Sequence, residues 1–134
     1  MPTGLTKDVG WNIGVSKTVP YTADEVWAFV MSPAGVAVWL GEGAELTDGA
    51  TYETVDGTVG EVRSLHAHGR VRLTWQPADW SHETTVQVTV TGSGSKAVLR
   101  FHQERLADAA ERERQRAHWA AVMTAVVARL DGGE

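Results

Sequence analysis

The sequence predicts an α+β domain in which a curved antiparallel β-sheet of about six strands wraps a long C-terminal helix, a helix grip. Two short helices are expected after the first strand. Three features carry this expectation. Apolar residues alternate with polar ones over stretches of strand length, glycine-containing turn signals recur between Gly41 and Ser95, and the last segment places apolar residues at helical spacing. At 134 residues the chain has the size of one domain, residues 1–134, and is long enough to bury a sizeable core.

The first strand runs from Val9 to Val19, where Val9, Trp11, Ile13 and Val15 alternate with Gly10, Asn12, Gly14 and Ser16 until Pro20. Thr22 caps a short helix, Glu25 completes a capping box, and Tyr21 and Val26 occupy hydrophobic-staple positions. Ser32-Pro33 ends that helix and starts another, Pro33 to Leu40, since proline suits a first helical position. Strands follow at Ala50 to Thr54 and Thr58 to His66, with Asp56-Gly57 read as a two-residue hairpin turn between them. Three more follow at Arg70 to Gln76, Glu83 to Thr91 and Lys96 to Arg105.

Asp108 caps the final helix, with Glu111 at the capping-box position and Gly132 as the stop. Trp119, Val122, Met123, Val126 and Leu130 recur at 3, 4 spacing on one face. Asp108–Arg112, Glu111–Arg114 and Glu113–Arg116 are read as supporting charge pairs on a solvated face. Only this helix is long enough to cover the apolar face of the sheet.

Composition narrows the function classes. A net charge of -5 disfavours nucleic acid as a partner. The absence of cysteine excludes disulfides and thiolate metal sites and fits a reducing, cytoplasmic compartment. Met1 to Asp8 shows no signal peptide and no apolar run reaches the length of a membrane span, so membrane insertion is not expected. Six tryptophans must be largely buried or used for contact.

Particular residues at the joints of these elements sharpen the fold. They are Val26-Trp27, Trp39, Gly57-x-x-Gly60-x-Val62, Arg72-Leu73-Thr74-Trp75, Leu99-x-Phe101-x-Gln103-Glu104 and His118-Trp119. In this order they resemble the START-like (SRPBCC) superfamily, and within it the bacterial branch related to the C-terminal domain of the activator of heat-shock-protein-90 ATPase. The likeness covers nearly the whole chain, though the branch-typical Gly-Trp reads His118-Trp119 here. It implies a helix grip with a cavity between sheet and C-terminal helix. The resemblance implies kinship with lipid carriers, plant hormone receptors, co-chaperones and polyketide cyclases.

On that basis the expected ligand-binding residues are Trp39, Trp75, Phe101, Gln103, His118, Trp119, Val122, Met123 and Val126. A mostly apolar space with a few polar groups suits a small apolar or aromatic molecule; plain core packing is the alternative for the same side chains. Trp11 and Trp27 are assigned to the core, and Trp80, beside Pro77, to a surface contact. Gln103 faces inward on the strand alternation and needs a partner, for which His118, Arg114 or a ligand are the candidates. His102 then faces outward. His118 either bridges helix and sheet or places its imidazole at the cavity edge. His66-x-His68 lacks a third ligand, so no metal site is expected.

No nucleophile–base motif, phosphate loop or paired carboxylates appear, so no catalytic residue and no cofactor are assigned. The leading expectation is sequestration of a small hydrophobic or aromatic molecule by a monomer or homodimer. A co-chaperone-like interaction domain predicts instead a filled core with an exposed patch, and a polyketide-cyclase-like enzyme a deep open pocket.

Overall fold

Alternating burial organises the centre of the sheet. The computed structural model describes residues 5–6, 10–66 and 69–132. Its elements are β1 (Leu5–Thr6), β2 (Gly10–Val19), α1 (Ala23–Val30), α2 (Pro33–Trp39), β3 (Thr51–Glu53), β4 (Val59–His66), β5 (Arg70–Trp75), β6 (Thr84–Ser93), β7 (Lys96–Leu106) and α3 (Ala109–Leu130). Along β7, Ala97, Leu99, Phe101 and Gln103 are buried while their neighbours point outward. Val71 and Leu73 of β5 and Val86 and Val88 of β6 repeat the rhythm. Each such buried aliphatic side chain contributes roughly 1.5–3 kcal/mol by leaving water.

All neighbouring strands are antiparallel, in the order β1-β2-β7-β6-β5-β4-β3. Among the described residues the sheet has seven strands, the expected six and one more. The added one, β1, pairs Leu5 with Trp11 and Thr6 with Gly10, and two residues are too few to show an alternation. Val9, the expected start of the first strand, lies outside the described residues, as does His68.

The helix signals hold locally, with one rearrangement. Thr22 Oγ1 accepts from the Glu25 N–H at 3.2 Å and Thr22 N–H donates back to Glu25 Oε1 at 3.3 Å, which completes the capping box of α1. Ser32 Oγ caps α2 by accepting from Gly35 N–H at 3.0 Å, and Leu40 is its C-cap rather than its last residue. Asp108 Oδ1 caps α3 by accepting from Glu111 N–H at 2.8 Å. Glu111 does not close that box, for its Oε1 accepts from Ala107 N–H at 3.0 Å and meets His82.

The three charge pairs expected along α3 do not form among the described residues. Arg112 Nε donates to Asn12 O at 2.7 Å and its Nη1 lies 3.0 Å from Glu113 Oε1. Fixed backbone and partly buried partners outcompete mobile solvated side chains, whose pairing is worth little.

The β3–β4 hairpin also differs from expectation. Five residues join the strands, Thr54 to Thr58, rather than two, and Val55-Asp56-Gly57 form the turn at their centre. Thr54 N–H donates to Thr58 O at 2.9 Å, Gly57 N–H to Thr54 O at 3.0 Å, and Gly57 has φ 91°. A three-residue turn of this kind needs a left-handed last residue, which glycine adopts without steric cost.

Helix α3 lies across β2 and β7 and packs also on α1 and α2. The Tyr21 hydroxyl donates to Asp131 and ties the entry of α1 to the exit of α3. Trp11 and Trp27, expected in the core, are half-buried at its margin. No helix among the described residues is long and apolar enough to cross a membrane.

Candidate functional site

The 3, 4 stripe of α3 points Trp119, Val122, Met123 and Val126 at the inner face of the sheet, and all four are buried. Phe101 of β7 meets Trp119 in a near-parallel stack, centroids 5.1 Å apart and planes at 17°. Trp39, at the end of α2, lies 6.3 Å from Phe101, and its indole N–H donates to Val30 O at 2.8 Å. Trp75, at the end of β5, lies 6.4 Å from Trp119. Eight of the nine expected ligand-binding residues, all but His118, thus come together in one buried cluster.

Gln103 is the polar centre of that cluster and is completely buried. Its Nε2 donates to Thr84 Oγ1 at 2.9 Å, and the Thr84 hydroxyl donates onward to Trp75 O at 2.9 Å. Its Oε1 accepts from Gln115 Nε2 at 3.0 Å and from the Trp119 indole at 2.8 Å. Neither His118 nor Arg114, the protein partners expected for Gln103, is bonded to it. Gln115 wins because it lies one helical turn before Trp119, on the inward face. Among the described residues no buried side-chain nitrogen or oxygen lacks a hydrogen-bond partner.

From Trp75 the rings continue outward. Trp80 packs edge-on against Trp75 at 5.2 Å and 74°, held by Gln76 Nε2 donating to Trp80 O at 2.8 Å. Trp80 is half-buried rather than a free surface residue. His82 follows at 5.2 Å from Trp80, and its Nε2 lies 2.9 Å from Glu111 Oε1. His118, exposed on α3, stands edge-on to Trp119 at 4.8 Å and lies 6.1 Å from Trp75. An open cleft of about 310 Å³ ends this path, lined by Asp79, Trp80, Ser81, His82, Glu111 and Arg114. In the sequence Glu111 has only a capping and charge-pair role and Gln115 none, although the 3, 4 spacing, extended back from Trp119, places both on the inward face.

Burial shifts two imidazoles. Desolvation against the tryptophans lowers the pKa of His118 below 6.5. Burial on the outer sheet face lowers that of His102 as well, with Arg100 and Arg72 adding to the effect and Glu104 opposing it. The unfolded chain therefore takes up these protons first. Their contribution to stability is complete above the ordinary value of 6.5 and is lost as pH falls below it through the folded values. The urea midpoint is expected to fall from neutral pH to about pH 5.5, less so in His118→Gln. An equal fall in that variant would contradict the assignment.

Among the described residues no group of three or more metal-ligating side chains converges. The arrangement offers a graded aromatic surface, buried at Phe101 and open at Trp80, beside the cationic Arg114 and the His82–Glu111 pair. Such a surface suits a flat apolar molecule with a polar edge.

The fold is shared with solved structures. DynU16, a protein of the dynemicin biosynthetic locus, is 26% identical with a TM-score of 0.79, over 90% of this chain and 47% of that chain. This chain therefore spans about half of DynU16. CalU16 from Micromonospora echinospora superposes with a TM-score of 0.81 at 15% identity, covering 93% of this chain and 78% of its own. An HSP90 activator from Plasmodium falciparum, PFC0360w, gives 0.75 at 15% identity, covering 92% and 97%. At such identities the last two show the fold alone. No curated protein matches the chain in sequence. Residues 20–131 match the model of the Activator of Hsp90 ATPase homolog 1-like proteins, and the chain belongs to that family.

Proposed function

We infer that this chain binds a small apolar or aromatic molecule at the open end of the grip. The observation that supports this is the unbroken path of rings from Phe101 and Trp119 through Trp75 to the half-exposed Trp80 and His82. Trp80, His82 and the exposed His118 form the wall that a ligand meets, with the buried Trp75, Trp119 and Met123 directly behind it. Trp39, Phe101, Val122 and Val126 back that wall, while Gln103 holds Trp119 in place. The protein acts in the cytoplasm as a monomer or homodimer. A place in small-molecule biosynthesis accords with the similarity to DynU16.

A specific observation favours a second reading. With Gln103 fully bonded inside the protein, the deep core makes no polar demand on a ligand. That suits a domain acting on a protein partner through its surface, and an HSP90 activator shares the fold.

Tryptophan fluorescence separates the two. Titration with naphthol, phenanthrene and palmitate is expected to give a saturable change for at least one of them. Trp80→Ala, at a half-exposed position, is expected to weaken that binding about tenfold. A folded protein silent to all three would favour the surface reading.

A further inference from the structure

The face of the sheet turned away from α3 carries a feature that the aromatic site does not use. Among the described residues two β-bulges interrupt the sheet, and each inserts an arginine. On β4 the register steps from Val62↔Leu73 to Ser64↔Arg72, so Arg63 is the extra residue. On β7 it steps from Ile13↔Gln103 to Trp11↔Leu106, so two residues, Glu104 and Arg105, stand opposite Asn12. Arg105 has φ 68°, the only left-handed residue other than glycine among those described. Simple alternation from the buried Gln103 would point Arg105 inward; the bulge leaves it exposed and buries Leu106 instead. Bulges re-aim side chains in this way, and a left-handed arginine costs conformational energy.

Both re-aimed arginines line one cleft of about 420 Å³, together with Arg72, Thr74, Glu83 and Thr85. Arg72 is shared with an adjoining cleft of about 320 Å³ that contains Gln87, Thr89, Arg100 and His102. A third hollow of about 280 Å³ continues beside Arg70. Carboxylates are present too: Glu61 lies 3.1 Å from Arg63, Glu104 lies 2.5 Å from Arg72, and Glu83 lines the first cleft. Among the described residues neither Arg100 nor Arg105 forms an ion pair. A chain of net charge -5 thus gathers Arg63, Arg70, Arg72, Arg100 and Arg105 on one side of its sheet.

We propose that this outer face docks an extended acidic segment of a protein partner, its carboxylates seated on the arginines. Three shallow hollows in a row suit an extended chain better than a single small anion. An extended peptide presents alternate side chains about 6.8 Å apart, the spacing at which Arg70 and Arg72 leave their own strand. Guanidinium groups receive carboxylates through two parallel hydrogen bonds. The interspersed Glu61, Glu83 and Glu104 leave room for spaced carboxylates but repel the dense charge of a nucleic acid.

The test is fluorescence anisotropy with a labelled peptide of alternating glutamate and serine at physiological ionic strength. Arg105→Gly keeps the left-handed backbone while removing the cation, and Arg63→Gln removes the other re-aimed arginine. The double variant is expected to bind about tenfold more weakly. Arg116→Gln with Arg129→Gln, on exposed positions of α3, changes net charge equally and is expected to alter affinity less than about twofold. Failure of the folded wild type to bind the peptide would overturn the proposal. So would equal losses in the two double variants, or tighter binding of a single-stranded oligonucleotide of matched charge. None of these outcomes bears on the aromatic site, which lies on the opposite face.

Discussion

Gln103→Leu is expected to destabilise the fold by about 4 kcal/mol. The leucine fills nearly the same volume, so the loss comes from hydrogen bonds rather than from a cavity. Without Gln103 Oε1, the Gln115 amide and the Trp119 indole N–H both lose their acceptor in a buried setting. Each orphaned donor costs about 1–3 kcal/mol. Thr84 loses a donor as well but keeps its bond to Trp75 O. Gln103→Leu combined with Gln115→Leu removes one orphan with its partner, so the double variant is expected to fall short of the sum of the singles by about 1–2 kcal/mol. Urea or guanidinium midpoints measure this directly. Additive losses would show that the amide pair is not coupled.

The second large effect has the sign opposite to what local propensity suggests. Alanine in place of glycine normally favours a helix by about 1 kcal/mol. Gly35 lies in α2, yet Gly35→Ala is expected to cost about 3 kcal/mol. An added Cβ would stand 1.8 Å from Phe29 O and 2.8 Å from Phe29 C, both backbone atoms of the last turn of α1. Phe29 O also accepts from Ser32 Oγ at 2.6 Å, so the carbonyl is held where the collision would occur. Only a shift of α2 relieves the contact, and α2 carries Trp39 into the aromatic cluster. Thermal unfolding of the variant measures the loss; a gain in stability would contradict the corner geometry.

These two residues show how unevenly the structure was written in the sequence. The α3 stripe from Trp119 to Val126, the capping box of α1 and the alternation in β5 to β7 are local patterns, and the fold follows them. Gln103 was legible as an inward polar residue because alternation fixes its side of the strand. Its partners were not legible. Thr84 and Gln115 reach it from a neighbouring strand and a distant helix, and only the assembled sheet fixes those distances. The strand-to-strand register also hid both bulges, since neither Val59 to His66 nor Lys96 to Arg105 reads as carrying an inserted residue. Arg105 therefore read as the end of a regular strand. The Gly35 contact was invisible for the same reason, being a collision between two helices. Trp80 and His82, in a loop without periodicity, gave only their residue types as a signal.

The central claim is that a small apolar or aromatic molecule sits against the outer part of the ring path. The most direct test follows the indole N–H signals of the six tryptophans by ¹H–¹⁵N NMR during addition of naphthol, phenanthrene or palmitate. Saturable shifts concentrated at Trp75, Trp80 and Trp119, with Trp11 and Trp27 unmoved, are the predicted result. Indole signals that stay in place throughout, in a protein that remains folded, would contradict it.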